Sequence, residues 1–542
     1  MIEVDKMLEK CGDFGRLQWI MLLLFSLLNV LSALHYYSQT IISFVPKYWC
    51  ADGLDPLAPV PNVSSCSPLD INANHSAICH SYRYEPYMGY QSFSNEMHWI
   101  CRKAWMLSLG QSMFFVGSVI GTLVLGFLAD IMGRVPMLVL SNILGMMGNV
   151  LTIFSKNLTL FCIFRLIAGL ATDANFLMMY ILVMEYMRPS LRTVGLTICI
   201  GVFYCLGSMG VPWIAVFMGN WRGFLLAISL PCCLVPFFYF IVPESVQWLI
   251  SKHKYDKAVA CLKRVAKINR RQIDDSAYAQ FIEDCKVSQK NMQTSKPNIL
   301  GLFKTPRLRR NTLILFFKSM VITLCYDAVS RNVQGLGISP FMMFTLSASS
   351  ILPACLMIIA LQDRIGRKAM TSISLLLSGI FISVSGFILY TGSTANNQTT
   401  TVLVTLSMIG RFGVTMAYNS GAQYATELIP TCVRGQGVGA VHVMGYAFTF
   451  FSVYILDTRR VFSPLPEIIL GVISLVGACL TLLLPETLNR TLPISLEDGE
   501  QFGISDHWYT FSCLKKRTQS VAALAPQRGM SLSKSTDSSD YF

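Results

Sequence analysis

The chain has 542 residues, of which 53% are hydrophobic and only 13% are charged, and its mean hydropathy is +0.51. Because an ordinary soluble domain carries about 25% charged residues, this composition excludes a string of soluble domains and indicates a polytopic membrane protein. The net charge of +13 would suit a nucleic-acid partner only if the basic residues formed a binding patch, and their distribution along the chain, described below, excludes that class.

Residues 1–17 are polar and are predicted to be a cytoplasmic N-terminus, followed by a first membrane-length helix near 18–40. Residues 41–103 form a polar loop in which four cysteines coincide with two N-glycosylation sequons. This coincidence is typical of an extracellular face, and two disulfides are expected there, with their pairing left open. The cysteines are Cys50, Cys66, Cys79 and Cys101, and the candidate glycosylation sites are Asn62 and Asn74.

The remaining apolar segments predict eleven further helices, which complete two groups of six with a polar stretch between them. The predicted fold class is therefore an all-α polytopic membrane protein with two pseudo-symmetric six-helix bundles. The bundles span 18–242 and 311–485, a cytoplasmic linker with short helices spans 243–310, and 486–542 is a cytoplasmic tail, largely disordered. The eleven helices lie near 104–129, 135–155, 160–187, 193–216, 222–242, 311–334, 339–361, 369–391, 401–428, 435–457 and 465–485.

The placement of Lys and Arg predicts the orientation in the membrane. The linker alone holds fifteen of them between Lys252 and Arg310, and basic residues concentrate on the cytoplasmic side of membrane proteins. Both termini and the linker are therefore predicted to be cytoplasmic, and the lipid bilayer is the expected partner. The charge of +13 is largely a topology signal, so nucleic acid is not an expected partner.

A pattern of charged residues and glycines occurs twice, 242 residues apart in its best-conserved part. Each copy has a short Asp-x-x-Gly-Arg turn, a Glu followed by an Arg, and an Arg inside an apolar helix. Gly permits the tight turn, and Arg can pair with a carboxylate, so we interpret these residues as gates and structure rather than as substrate contacts. They are Asp130, Gly133, Arg134, Arg165, Glu185 and Arg192 in the first half, and Asp363, Gly366, Arg367, Arg411, Glu427 and Arg434 in the second.

Several motifs at the ends of the predicted helices are specific enough to indicate a family. They are C-G-D-F-G-R-L-Q at the start, P-E-S-V-Q-W-L-I after helix six, L-F-K-T-P-R-L-R-R before helix seven, and E-L-I-P-T-C-V-R and L-L-L-P-E-T in the second half. Over roughly residues 1–500 the chain resembles the organic cation, carnitine and organic anion transporters of the major facilitator superfamily. The resemblance implies a twelve-helix major-facilitator-type fold and a central site that opens to either side in turn, without ATP or another cofactor. Tyr446 stands where cation carriers of this family often have Asp and anion or carnitine carriers have Arg, which leaves the substrate's charge open.

Polar and aromatic residues inside the membrane that the repeat does not duplicate are the candidates for substrate binding. A carboxylate supplies charge to an amine or quaternary ammonium, and aromatic faces add a cation–π attraction of about 0.5–2 kcal/mol. The alternatives are that Asp173 pairs with Arg165 or Arg411, that Asp327 faces an outer vestibule, and that His442 is a satisfied polar residue of the core. The candidates are Asp173, Phe176, Thr323, Tyr326, Asp327, His442 and Tyr446.

These observations favour a plasma-membrane secondary transporter for a small organic cation or zwitterion, such as a carnitine-like compound or a biogenic amine, working by alternating access. An organic anion exchanger and a transport-dead scaffold or receptor are the alternatives. The sequence has no metal-ligand spacing of Cys and His and no nucleophile–base pair in a recognisable context. It therefore predicts no enzyme activity, no catalytic residue and no metal site.

Overall fold

The computed structural model of the chain describes residues 2–12, 14–51, 66, 79, 81–187, 195, 198–292, 299–334, 338–391, 397–504, 506 and 511. Within these residues twelve helices are long and apolar enough to cross a membrane, as the sequence predicts. The first half contains α1 (Arg16–Ile42), α2 (Cys101–Met132), α3 (Arg134–Thr152), α4 (Leu158–Tyr186), α5 (Ile200–Met218) and α6 (Trp221–Ile241). The second contains α7 (Pro306–Arg331), α8 (Pro340–Ile365), α9 (Arg367–Tyr390), α10 (Gln398–Leu428), α11 (Thr431–Arg460) and α12 (Leu465–Leu482).

The helix boundaries follow from local chemistry. Asn157 and Asn220 accept hydrogen bonds from backbone N–H groups in the first turns of α4 and α6, as N-cap residues do. Gly133 and Gly366 separate α2 from α3 and α8 from α9 with φ of 113° and 96°, a backbone conformation that suits glycine. The tight turns predicted from the two Asp-x-x-Gly-Arg motifs are therefore present.

Four helices are less regular than the sequence predicts. A break at Ala171 divides α4, and a break at Ser350 divides α8. The first described turn of α5, Ile200–Tyr204, is a π-helix, and Leu230–Phe237 in α6 is a 3₁₀ helix with two prolines. Proline removes a backbone donor and clashes with the preceding turn, which explains the distortion of α6.

The loop between α1 and α2 forms a small folded unit. Strand β1 (Lys47–Cys50) pairs antiparallel with β2 (Tyr82–Glu85). The disulfides join Cys50 to Cys79 and Cys66 to Cys101, so two disulfides form as predicted and their pairing is now defined. The predicted glycosylation sites Asn62 and Asn74 lie outside the described residues.

The linker contains helices Val246–Ser251, Tyr255–Ile268 and Asp275–Met292. The second is amphipathic and buries Ala258, Leu262, Val265 and Ala266. It shares one hydrophobic cluster with Val4, Met7 and Leu8 of an N-terminal helix, Ile2–Lys10, which the sequence prediction did not include. The N-terminus is thus packed against the linker.

The start of the tail also differs from the prediction of a largely disordered 486–542. A helix over Leu496–Gln501 lies against the start of α7, where Glu500 accepts hydrogen bonds from the backbone N–H groups of Arg307 and Leu308 at 3.1 and 2.8 Å. Arg490 forms an ion pair with Asp506. The Glu500 contacts attach the helix Leu496–Gln501 to the second half, because they satisfy orphan donors of the first turn of α7.

Candidate functional site

The turn between α2 and α3 is held by a network of acidic side chains in the first half. Arg134 pairs with Asp130 at 2.5 Å, while its backbone N–H donates to Glu244 Oε1 at 2.8 Å. Ser245, the next residue, donates its hydroxyl to Glu185. Glu244 therefore accepts from the N-terminus of α3, where a negative charge is favourable.

The second half repeats this arrangement between α8 and α9. Arg367 pairs with Asp363 at 2.9 Å and its backbone N–H donates to Glu486 at 3.0 Å. Thr487 donates to Glu427 at 2.6 Å, and the Arg367 side chain also pairs with Glu427 at 3.0 Å. In this half the Asp-Gly-Arg turn and Glu427 therefore form one cluster of ion pairs.

Arg434, another predicted gating residue, lies near the start of α11. Arg434 donates to the backbone carbonyl of Ile429 at 3.3 Å, which ties the start of α11 to the end of α10. Arg192 lies outside the described residues. The roles of both in gating stay predictions.

The two intramembrane arginines are buried among neutral partners. Arg165 donates to Asn149 and Thr152, each at 2.8 Å. Arg411 donates to the Tyr326 carbonyl at 2.7 Å and to the Tyr37 hydroxyl at 3.1 Å, and its guanidinium lies over the Tyr326 ring. In the described part of the chain neither arginine pairs with Asp173, so the alternative that Asp173 neutralises one of them does not describe this structure.

Asp327 on α7 is completely buried and has a cationic partner. Arg331, four residues later on the same helix, forms an ion pair with it at 2.9 Å. Tyr36 on α1 and Ser452 on α11 also donate hydroxyl groups to this carboxylate. The charge of Asp327 is therefore neutralised within the protein, and the side chain does not face an open vestibule as one alternative held.

Asp173 on α4 is in a different environment. Its carboxylate accepts a hydrogen bond from Ser118 on α2, and Tyr446 on α11 approaches the same group. Among the described residues it forms no ion pair. The residue is half-buried. Asp173 is therefore a partly accessible carboxylate whose partners in the described part of the chain are hydroxyl groups.

Half-buried aromatic residues lie on the same helix as Asp173 and on the helices that carry its neighbours. Phe176 and Tyr180 stack on α4, with ring centroids 5.9 Å apart. Tyr326 of α7 stacks on Tyr418 of α10 at 4.5 Å, and the Tyr418 and Tyr446 hydroxyls are 2.9 Å apart. The structure thus brings the predicted residues Asp173, Phe176, Tyr326 and Tyr446 to one central region.

Thr323 and His442 occupy the face between α7 and α11. A Cβ at Gly445 would meet Thr323 Oγ1 at 2.6 Å, so Gly445 allows the two helices to approach closely there. His442 lies near Lys318, whose ammonium group donates to the Gly421 carbonyl at 2.9 Å. Lys318 therefore does not bridge to Asp327.

Several contacts between the halves lie toward the helix ends on the side of the disulfide-containing loop. Ser108 at the start of α2 donates to Asp457 at the end of α11. Trp213 on α5 donates to Thr345 on α8 at 3.0 Å, and Tyr36 reaches Asp327. The structure is therefore closed on the side of the disulfide-containing loop.

The sequence analysis missed three residues that shape the site: Arg331, Tyr36 and Tyr418. Arg331 had a detectable signal, because a basic residue four positions after an acidic one on a helix is a standard ion-pair spacing. Tyr36 and Tyr418 had none beyond being aromatic residues in apolar helices, since only the folded chain places them beside α7 and α11.

Solved structures with a similar fold are transporters. The inward-open conformation of the xylose transporter XylE from E. coli is 15% identical, covers 89% of this chain and 99% of its own, and has a TM-score of 0.59. A structure of the proton:xylose symporter XylE bound to a sugar analogue gives a TM-score of 0.60 at 16% identity. At this identity the likeness shows the fold alone. Twelve spans in two homologous halves define the class, a secondary transporter of the major facilitator type.

The sequence comparisons identify the family. The model of the family described as "Sugar (and other) transporter" matches residues 72–494. The human protein "Solute carrier family 22 member 2" is 30% identical, with 92% of this chain and 95% of the relative covered. The "Organic cation transporter protein" of Drosophila melanogaster is 28% identical over 92% of this chain and 95% of the relative. The chain belongs to the organic cation, carnitine and organic anion transporter family of the major facilitator superfamily, whose members are transporters and not enzymes.

Proposed function

We propose that the protein carries a small organic cation or zwitterion across the plasma membrane, and that Asp173 is the carboxylate that binds its positive charge. The observation that carries this proposal is the set of contacts that the Asp173 side chain makes. Asp173 is half-buried and has hydroxyl partners, with no cationic partner among the described residues. A charge within the membrane is costly without a countercharge, and a cationic substrate supplies one.

The surrounding rings suit the same ligand. Phe176 and Tyr180 lie one and two turns from Asp173 on α4, and Tyr446 closes the opposite side. Aromatic faces attract an ammonium group by roughly 0.5–2 kcal/mol each, more when water is excluded. Relatives named as organic cation transporters support the assignment.

Transport would follow from the two halves rocking about this central region. The duplicated networks at Arg134 and Arg367 lie at the cytoplasmic ends, where they would hold the inner side closed in the opposite conformation. Both termini are assigned to the cytoplasm, and the disulfide-containing loop to the outside. The membrane potential would then favour cation entry by about 2.3 kcal/mol per charge per 100 mV.

One observation favours an organic anion as the second candidate. Arg165 and Arg411 have no carboxylate partner among the described residues, so the interior holds cations that lack a countercharge. Both side chains are fully enclosed, at 0% and 1% exposure. Asp173 is partly accessible, and for that reason we place the cation first.

Uptake in oocytes separates the two candidates. Radiolabelled tetraethylammonium, carnitine and a dicarboxylate are compared, with and without depolarisation by external potassium. We expect uptake of the cation or the zwitterion, and depolarisation should reduce uptake of the cation. Asp173→Asn should lower it about tenfold or more, because a hydrogen-bonded charged contact contributes about 1.5–3 kcal/mol.

The matched control is Asp275→Asn, which removes a carboxylate that is 85% exposed in the linker. It should leave uptake unchanged at equal surface expression. Uptake of the dicarboxylate alone would contradict the cation proposal and support the anion candidate. Failure to transport any of the compounds would support a scaffold or receptor instead.

A further inference from the structure

We propose that Arg331 binds the carboxylate of a zwitterionic substrate at an outer site that it forms with Asp327, Tyr36 and Phe115. This inference rests on the proposed transport function and narrows its substrate class to a compound that carries both a quaternary ammonium and a carboxylate. It concerns the outer end of the protein, whereas Asp173 lies at the centre.

Arg331 is the last residue of α7 and its side chain is 3% exposed. Its guanidinium pairs with Asp327 at 2.9 Å and lies over the Phe115 ring at 4.7 Å and the Tyr36 ring at 5.5 Å. With the Gln39 amide oriented to place its oxygen toward Arg331, that oxygen accepts from both terminal nitrogens of the guanidinium, one of them at 2.9 Å. In the closed state the guanidinium therefore has two polar partners and two aromatic ones.

The partners of Arg331 belong to different halves of the molecule. Asp327 is four residues away on the same helix, so the ion pair stays together when the halves move. Tyr36 and Gln39 are on α1 and Phe115 is on α2, so all three leave when the outer side opens. Opening then exposes the Arg331–Asp327 ion pair on the second half and the Tyr36 and Phe115 rings on the first half.

The charges and rings that opening exposes suit a ligand that carries both a carboxylate and a quaternary ammonium. A carboxylate can take the place of the Gln39 oxygen on the planar guanidinium, which binds carboxylates in a bidentate way. A quaternary ammonium can take the place of the guanidinium between the Tyr36 and Phe115 rings, since both cations bind aromatic faces. A ligand carrying both groups restores the contacts that opening removes, whereas a simple cation leaves Arg331 without an anion to replace Gln39.

A second ion pair provides a control near the same end of the protein. Arg459 pairs with Glu467 and also donates to Asn332 and to the Gln334 carbonyl. All four residues belong to the second half, so opening does not separate them. Arg459→Gln removes a partly buried arginine of the outer region without removing a contact between the halves.

The test compares uptake of carnitine with uptake of its carboxamide, which has nearly the same shape and lacks the negative charge. Arg331→Gln should lower the ratio of carnitine to carboxamide uptake by about tenfold or more, because one charge-assisted contact is lost. Since Arg331→Gln leaves Asp327 buried without a partner, the double variant Asp327→Asn/Arg331→Gln is measured beside it and should show a fall in the same ratio. Arg459→Gln should leave the ratio unchanged, and surface biotinylation corrects for expression.

Equal losses of both compounds in the Arg331 variants would overturn the inference and make the pair a purely structural gate. Wild-type protein that takes up the carboxamide but not carnitine would also overturn it, while leaving the proposed cation transport intact. Wild-type protein that takes up neither compound, nor any other organic cation, would contradict the proposed function itself.

Discussion

The two interior aspartates have similar sequence settings and different surroundings. Asp327 is fully enclosed and paired with Arg331, whereas Asp173 is half-buried and has hydroxyl groups as its partners. A buried carboxylate that already has a cation contributes to the architecture, and one without a cation is available to a ligand. The position of the nearest cation therefore distinguishes the two roles.

The largest effect on stability should come from removing the charge of Asp327, the aspartate that forms an ion pair. Asp327→Asn leaves Arg331 buried without a countercharge, which costs about 3–5 kcal/mol in the free energy of unfolding. Thermal unfolding of the purified protein in detergent should show a clear decrease in the midpoint. Asp327→Asn/Arg331→Gln removes both charges and should recover most of the loss. Equal stability of Asp327→Asn and the wild type would refute the assignment of Asp327 as the paired residue.

Substitution of Asp173, which forms no ion pair among the described residues, should give the opposite result in the same thermal unfolding assay. Asp173→Asn removes no ion pair and keeps a group that can hydrogen-bond with Ser118. Its unfolding midpoint should equal or exceed that of the wild type, because burial of a charge is relieved. A decrease as large as that of Asp327→Asn would mean that Asp173 has a structural partner.

Glu427 and Asp363, which both pair with Arg367 at the turn between α8 and α9, extend the comparison to gating. Glu427 is 15% exposed and pairs with Arg367, so Glu427→Gln should lower the maximal transport rate several-fold and change the apparent affinity little. Kinetics of uptake over a range of substrate concentrations separate the two parameters, and a change confined to affinity would count against a role in gating.

Asp363 is the weaker partner of the same arginine. Its side chain is 79% exposed, and exposed ion pairs contribute about 0.2–1 kcal/mol. Asp363→Ala should therefore slow turnover less than Glu427→Gln does, with little effect on binding. An effect of Asp363→Ala larger than that of Glu427→Gln would reverse this ranking of the two contacts.

The smallest effect is expected from the end of the chain. Phe511 lies under the Lys368 ammonium, and Arg490 pairs with Asp506, so contacts with the second half extend to that region. Deletion of residues 515–542 removes none of these contacts and should leave transport unchanged at equal surface expression. Loss of transport by a correctly delivered protein would show that the tail takes part in the cycle.

The fold was largely predictable, because twelve apolar segments and a duplicated motif are properties of the chain itself. The Asp-Gly-Arg turns were also readable, since glycine and the ion-pair spacing are local signals. The site was only partly predictable. Asp173 and Tyr446 are 273 positions apart, and their meeting depends on how α2, α4 and α11 pack. The neutralisation of Asp327 depended on Arg331, whose spacing was visible, and on Tyr36, whose contribution comes from the other half.

The central claim is that Asp173 binds the positive charge of the substrate. The most direct measurement is the affinity of purified wild-type and Asp173→Asn protein for an organic cation that the uptake assay identifies, with calorimetry at fixed ionic strength. We predict that Asp173→Asn weakens binding about tenfold or more while the unfolding midpoint is maintained. Unchanged affinity in a folded Asp173→Asn protein would contradict the claim.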